Sequence, residues 1–195
     1  PMSDDSRFLE THLDSARHFS GRLINLRVDT VRLPDGREAR REVVEHPGAV
    51  ALVALTEDGC VLLVRQWRHP AGRVSIELPA GTLEPGESIE LCARRELVEE
   101  TGIYPNKIEK LIDIYVSPGY SDEVIHIFLA SELQAQDDGG LPQAVVDWVQ
   151  DPDENIQAMS VPLAEAVQLC LDGRICDAKT ITGILLAQEA LEGDA

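Results

Sequence analysis

Three glutamates in one short stretch, Glu96, Glu99 and Glu100, are spaced so that a helix would carry all three carboxylates on one face. At separations of three and four residues, like charges cost a helix roughly a few tenths of a kcal/mol per pair. Something must offset that repulsion. A divalent cation would do so, and magnesium and manganese both prefer oxygen ligands and keep several waters. The residues just upstream suit such a site. Gly81 and Gly86 permit a loop that brings backbone carbonyls close to the cation. Arg95 can hold Glu87 across the intervening turn by a charge-assisted bond. Three glutamates taken alone would read equally well as a solvated helix face.

The secondary structure around these groups is legible in outline. Residues 88–101 follow Pro85-Gly86-Glu87, carry apolar side chains at Ile89, Leu91, Ala93, Leu97 and Val98, and end at Gly102, where a glycine cap belongs. Upstream, residues 3–19 suit a short helix or an arm, and residues 22–45 read as a hairpin turning at Pro34-Asp35-Gly36. Residues 49–55 and 61–64 are strongly apolar and flank Glu57-Asp58-Gly59, which predicts a second, buried hairpin. Strands are expected over 108–116 and 124–130, loops over 136–142 and 151–155, and helices over 162–171 and 178–191. Strands mixed with three helices predict a layered α/β or α+β domain. The expected division is an extension over residues 1–45 and a main domain over 46–195.

Composition narrows the function further. The chain has 195 residues, 44% apolar and 27% charged, with a formal net charge of −18. A surface so acidic excludes gripping nucleic acid by its own basic face, but it can bind phosphates through a bridging cation. No apolar run is long enough to cross a bilayer, and there is no leader of basic, apolar and cleavable parts, so a cytoplasmic protein without a membrane partner is expected. The four cysteines have no paired spacing and suit reduced, buried thiols, and the five histidines have no ligand spacing. There is no phosphate-loop lysine motif and no G-x-S-x-G elbow, which argues against a motor NTPase and a serine hydrolase.

The string from Gly81 to Ile103 matches the pattern G-x5-E-x7-R-E-U-x-E-E-x-G-U, with U aliphatic, at every defined position, and so resembles the Nudix family. Chance would produce such a match in well under roughly one chain in a million, which removes the plain reading of a solvated acidic face. Arg65-Gln66-Trp67-Arg68, Ile76-Glu77-Leu78-Pro79-Ala80-Gly81 and Ser117-Pro118-Gly119-Tyr120-Ser121-Asp122-Glu123 resemble the ADP-ribose pyrophosphatase branch of that family, and the similarity covers nearly all of residues 22–190. The resemblance implies the Nudix fold, a mixed β-sheet sandwiched between helices, here with an N-terminal β-hairpin extension that serves dimerisation and substrate contacts.

The resemblance also implies roles. Glu96 and Glu100 correspond to direct ligands of Mg²⁺, with Mn²⁺ as a substitute. Glu99 would ligate directly or through water, and the carbonyl of Ala80 would be the backbone ligand. Arg68, Glu77, Ser117, Pro118 and Gly119 would line the substrate cleft. Arg40 or Arg41 would reach the substrate of the partner subunit in a homodimer. The general base would be a glutamate on the acidic loop, where Glu154 is preferred, with Asp153 beside it and Glu123 as the outside candidate, while Glu99 would be catalytic through the cation it helps to hold. The implied reaction is ADP-ribose plus water giving AMP and ribose 5-phosphate. Alternatives are a nucleoside triphosphate, a dinucleoside polyphosphate or another sugar nucleotide as substrate, and a sensing module that binds ADP-ribose without cutting it.

Overall fold

A computed structural model describes residues 5–150 and 155–193, which group into two units. The first comprises residues up to 47 together with 115–123. Its strands β1 (Thr11–Ser20), β2 (Asn25–Arg32) and β3 (Glu38–Glu45) form an antiparallel sheet in the order β1-β2-β3. The hairpin expected around Pro34-Asp35-Gly36 is β2–β3. Gly36 sits at φ +87°, a left-handed conformation that glycine adopts without a Cβ penalty, and its N–H donates to the Leu33 carbonyl at 2.9 Å.

The arm expected over residues 3–19 is corrected. A single 3-10 turn, Asp5–Phe8, leads into β1, an exposed edge strand. Its apolar residues follow no helical period, and pairing with β2 satisfies its backbone instead. A polar bond pins the pairing: Ser15 Oγ on β1 donates to Asp29 on β2 at 2.7 Å, and Arg27, on the same strand as Asp29, steadies that carboxylate by donating to both its oxygens at 3.0 Å. Residues 115–123 join this unit at the end of β3, where the Val44 N–H donates to the Tyr120 carbonyl at 2.7 Å.

The second unit holds residues 48–114 and the described residues from 124 onward. Its strands are β4 (Ala49–Ala54), β5 (Cys60–Arg68), β6 (Arg73–Glu77), β7 (Ala80–Thr82), β8 (Ile103–Tyr115), β9 (Val124–Ala135) and β10 (Ile156–Pro162). Its helices are α1 (Ile89–Thr101), the single turn α2 (Gln143–Val146), α3 (Leu163–Leu171) and α4 (Ala178–Gly193). One sheet runs β7-β4-β9-β8, with β4 parallel to β9 and antiparallel to β7. The other runs β10-β5-β6. The second hairpin expected from sequence therefore does not form. β4 and β5 belong to different sheets and meet at one bridge, Leu55 with Val61. Strand β10 is an addition to the elements expected from sequence.

Alternation along β4 explains the layering. Ala49, Ala51 and Val53 face a core with Ala166 and Leu169 of α3 and Ile184 and Ala187 of α4. Val50, Leu52 and Ala54 face a second core with Cys92, Ala93 and Leu97 of α1. A strand buried on both faces reads as a continuous apolar run, which is what residues 49–54 show. The mixed sheet thus lies between α1 on one side and α3 and α4 on the other. Gly183 lets α4 approach closely, since a Cβ there would stand 2.6 Å from Leu78 Cδ1 and 2.9 Å from Val53 Cγ2. Among the described residues no helix is long and apolar enough to cross a membrane.

Candidate active site

Helix α1 is held at both ends by its own sequence. Ser88 Oγ accepts the Leu91 N–H at 3.2 Å as N-cap, and Gly102, at φ +70°, donates its N–H to the Val98 carbonyl at 2.8 Å. Burial of Cys92, Ala93, Leu97 and Val98 fixes the rotation of the helix, so the glutamate spacing becomes a fixed array of carboxylates.

Arg95 is the hub of that array. It grips Glu87 in a two-pronged pair, Nε to Oε1 and Nη2 to Oε2, each at 2.9 Å. Its Nη1 donates to Glu96 Oε1 and to Glu99 Oε2, each at 2.8 Å. One guanidinium therefore offsets the repulsion among three carboxylates. Its bond to Glu87 first, and then the charge of Glu96, raise the Arg95 pKa above its ordinary value. Burial pushes the Glu99 carboxyl up; Arg95 opposes this, while the charges of Glu84 and Glu87 add to it. Burial would also raise Glu87, but its bonds to Arg95 win and hold it below the usual range.

Glu100, 7% exposed, accepts the Ala80 N–H on Oε2 at 3.1 Å. The Ala80 amide is thus tied to the same helix face on which its carbonyl was expected to act. Gly81 lies flush against Glu96: a Cβ there would fall on the carboxylate itself. Among the described residues no group of three or more acidic, His or Cys side chains is disposed, as it stands, to hold a metal ion, and Arg95 occupies oxygens of both Glu96 and Glu99. The donor chemistry nevertheless fits a hard divalent cation, because the side chains offered on this face are carboxylates and the loop that faces them has no Cβ at Gly81.

A second ionic group lies between β5, β6 and α4. Arg68 forks onto Glu77, Nε to Oε1 at 2.8 Å and Nη2 to Oε2 at 2.7 Å. Glu77, only 2% exposed, also receives Lys179 Nζ on Oε2 at 2.5 Å. Burial alone would raise the Glu77 pKa, but Arg68 and Lys179 together outweigh it and hold the carboxyl at about 2. Lys179 in turn stands 3.0 Å from Asp177, which caps α4 by accepting the Thr180 N–H at 3.0 Å, and Thr180 Oγ1 accepts the Leu78 N–H at 2.8 Å. Lys179, Asp177 and Thr180 were absent from the sequence-based site. One signal was available: a lysine in the first turn of a helix opposes the helix dipole, so a buried anion must hold it there.

The remaining candidates fall in the first unit or outside the described residues. Arg40, Arg41 and Gly119 line a concavity of about 410 Å³ together with His18 and Tyr120, and Arg41 pairs with Glu10. Residues 117–121 form a turn in which Ser117 accepts the Ser121 N–H at 2.9 Å, with Pro118 and Gly119 at its tip. Glu123 lies 3.7 Å from His46 Nδ1. Asp153 and Glu154, two of the residues considered for the general base, lie outside the described residues.

Residues 45–182 match the family described as NUDIX domain, and residues 10–44 match the nucleoside diphosphate sugar hydrolase N-terminal domain. An ADP-ribose pyrophosphatase of Bacillus subtilis (strain 168) is 43% identical over 176 residues, spanning 89% of this chain and 91% of that protein. A methanol dehydrogenase activator of Bacillus methanolicus is 40% identical over 188 residues, 95% and 97% of the two chains. A crystal structure of an ADP compounds hydrolase shares the fold, with a TM-score of 0.79 at 24% identity, covering 95% of this chain and 96% of the other. With the Gly81–Ile103 pattern folded as a capped helix whose glutamates are organised by Arg95, and with these matches spanning most of its length, the chain belongs to the Nudix hydrolase family.

Proposed function

We propose that this protein hydrolyses the diphosphate of ADP-ribose, yielding AMP and ribose 5-phosphate, with Mg²⁺ as its cation and Mn²⁺ as a substitute. The observation that carries this reading is the carboxylate face of α1, ordered by Arg95 and backed by the close approach of Gly81, in a chain 43% identical to an ADP-ribose pyrophosphatase. Glu96, Glu99, Glu100 and the carbonyl of Ala80 would hold the cation. When bound there, it neutralises the charge of the diphosphate and makes water a stronger acid.

The chain's own groups do the rest. Arg68 keeps N–H donors that Glu77 does not use, and these suit a non-bridging phosphate oxygen or a ribose hydroxyl. A carboxylate takes the proton of the attacking water as its oxygen bonds to phosphorus and the phosphorus–oxygen bridge breaks. Glu154 is our choice for that base, ahead of Asp153 and Glu123. Ser117, Pro118, Gly119 and one of Arg40 and Arg41 complete the substrate site, with the arginine acting on the partner subunit's substrate in a homodimer. Residues 1–45 would be the extension that makes this dimer, and residues 46–195 the catalytic domain. We assign the protein to the cytoplasm, where free cysteines such as the four seen here persist.

A substrate panel tests this reading. Phosphate release coupled to a phosphatase, run with Mg²⁺ and with Mn²⁺, should be fastest for ADP-ribose among sugar nucleotides, nucleoside triphosphates and dinucleoside polyphosphates. Faster turnover of any other member would reassign the substrate. Binding of ADP-ribose with no turnover would make the domain a sensor.

A further inference from the structure

A buried lysine that touches no other face of the site needs a reason. Lys179 sits in the first turn of α4, 8% exposed, where the helix dipole disfavours a cation. Its ammonium is spent on Glu77 Oε2 and Asp177 Oδ2. Glu77 Oε2 is also the oxygen that takes Arg68 Nη2, while Oε1 takes Arg68 Nε. A carboxylate held on one side by an ammonium and on the other by a two-pronged guanidinium cannot rotate about its last torsion without losing a charge-assisted bond. A fixed carboxylate plane fixes the guanidinium plane, and with it the direction of the Arg68 N–H groups that Glu77 does not occupy.

The surrounding packing makes this pin rigid. Gly183, one turn further along α4, brings the helix against Leu78 and Val53, and Thr180 Oγ1 accepts the N–H of Leu78, the neighbour of Glu77. The same segment continues to Ala80, whose N–H is held by Glu100. Arg68 is half exposed while Glu77 is sealed, so the outer end of the chain of contacts is the one that can meet a ligand.

We infer that Lys179 is a positioning residue: acting through Glu77, it aims the Arg68 guanidinium at the anionic substrate. The inference deepens the proposed function and rests on Arg68 being a substrate contact. Lys179 itself touches no substrate atom, and its effect passes wholly through Glu77 and Arg68.

Binding of ADP-ribose by titration calorimetry in EDTA tests this without relying on turnover. Lys179→Met should weaken binding about tenfold, the scale of lost outer-shell support, and Lys179→Arg should restore most of the affinity. In an Arg68→Ala background, Lys179→Met should change the dissociation constant less than about twofold, because a shared route makes the two losses non-additive. Equal weakening in both backgrounds, or no weakening in either, would overturn the inference. So would an Arg68→Ala variant that binds as tightly as the wild type, by removing the contact on which it rests. If Lys179→Met does not fold, Asp177→Asn serves instead: asparagine caps a helix as well as aspartate but withdraws the second anchor of Lys179. That variant should weaken binding measurably in the wild-type background alone, and unchanged affinity would equally overturn the inference. A wild-type protein that binds ADP-ribose but does not cut it would refute the proposed function while leaving this test in force.

Discussion

A methyl group on Gly81 would land on the Glu96 carboxylate, so Gly81→Ala must displace either the loop or that glutamate. We expect the variant to keep its circular dichroism spectrum and to lose about 10- to 100-fold in metal-dependent turnover, the range seen when groups that orient a metal ligand are disturbed. Turnover within twofold of the wild type would show that the contact has no functional weight. That Glu96, Glu99, Glu100 and Arg95 share a face was legible from local helix geometry, and that the face serves a cation was legible only from the resemblance of Gly81–Ile103 to the Nudix pattern. Arg68, Glu77 and Lys179 were legible only in part. The pairing of Glu77 with Lys179 spans 102 residues of sequence, and no periodic pattern encodes a contact that only the tertiary fold creates. Asp153 and Glu154 remain candidates for the base on sequence grounds, and Glu154→Gln is the substitution that addresses them: it should lower kcat steeply with little change in KM.

Helix α1 works as a rigid mount, and Arg95 stabilises it as much as it organises it. Removing the guanidinium leaves Glu87, Glu96 and Glu99 with uncompensated charge in a partly buried setting. Arg95→Ala should therefore destabilise the protein by about 3 kcal/mol, which for a domain of this size lowers the melting temperature by roughly 6–12 °C. Ser88→Ala, which removes only the N-cap, should cost about 1 kcal/mol. A thermal scan that ranks the two the other way would refute the role given to Arg95. The bounds of α1 could be read in advance because Ser88 and Gly102 are residues that end helices. Strand partners could not. β4 and β5 are both apolar and adjacent in sequence, which is how a hairpin reads, yet each found its partners elsewhere, with β9 and β7 for β4 and β10 and β6 for β5. Partner choice depends on which faces α1, α3 and α4 cover, and that information is not local. β10 is not legible in advance because a seven-residue strand ending in Pro162 looks like the approach to a helix.

Across the whole molecule the acid response follows from the buried pair. Glu77 has a folded-state pKa of about 2, below its ordinary 4.5. The stabilisation it supplies is complete above the ordinary value and is lost as pH falls from about 4.5 through about 2. The loss is on the order of 3 kcal/mol, and the lowered pKa of Glu87 adds to it in the same direction. Melting temperature measured from pH 6 to pH 3 should fall more steeply for the wild type than for Glu77→Gln, and parallel curves would contradict the assignment. On the proposed reading, the first unit, which carries the exposed edge strand β1 and the concavity lined by Arg40 and Arg41, meets a second copy of the chain. Sedimentation at micromolar concentration should show a dimer, and a fully active monomer would refute the pairing. Cleavage of the diphosphate is read by product analysis: chromatography after incubation of ADP-ribose with the protein and Mg²⁺, beside Glu96→Gln and Glu100→Gln. The wild type should release AMP and ribose 5-phosphate in equal amounts, and each variant should lose more than about 100-fold with the fold retained, beyond what outer-shell substitutions cost. Adenosine or free ADP as product, or undiminished AMP release from either variant, would contradict the proposed function.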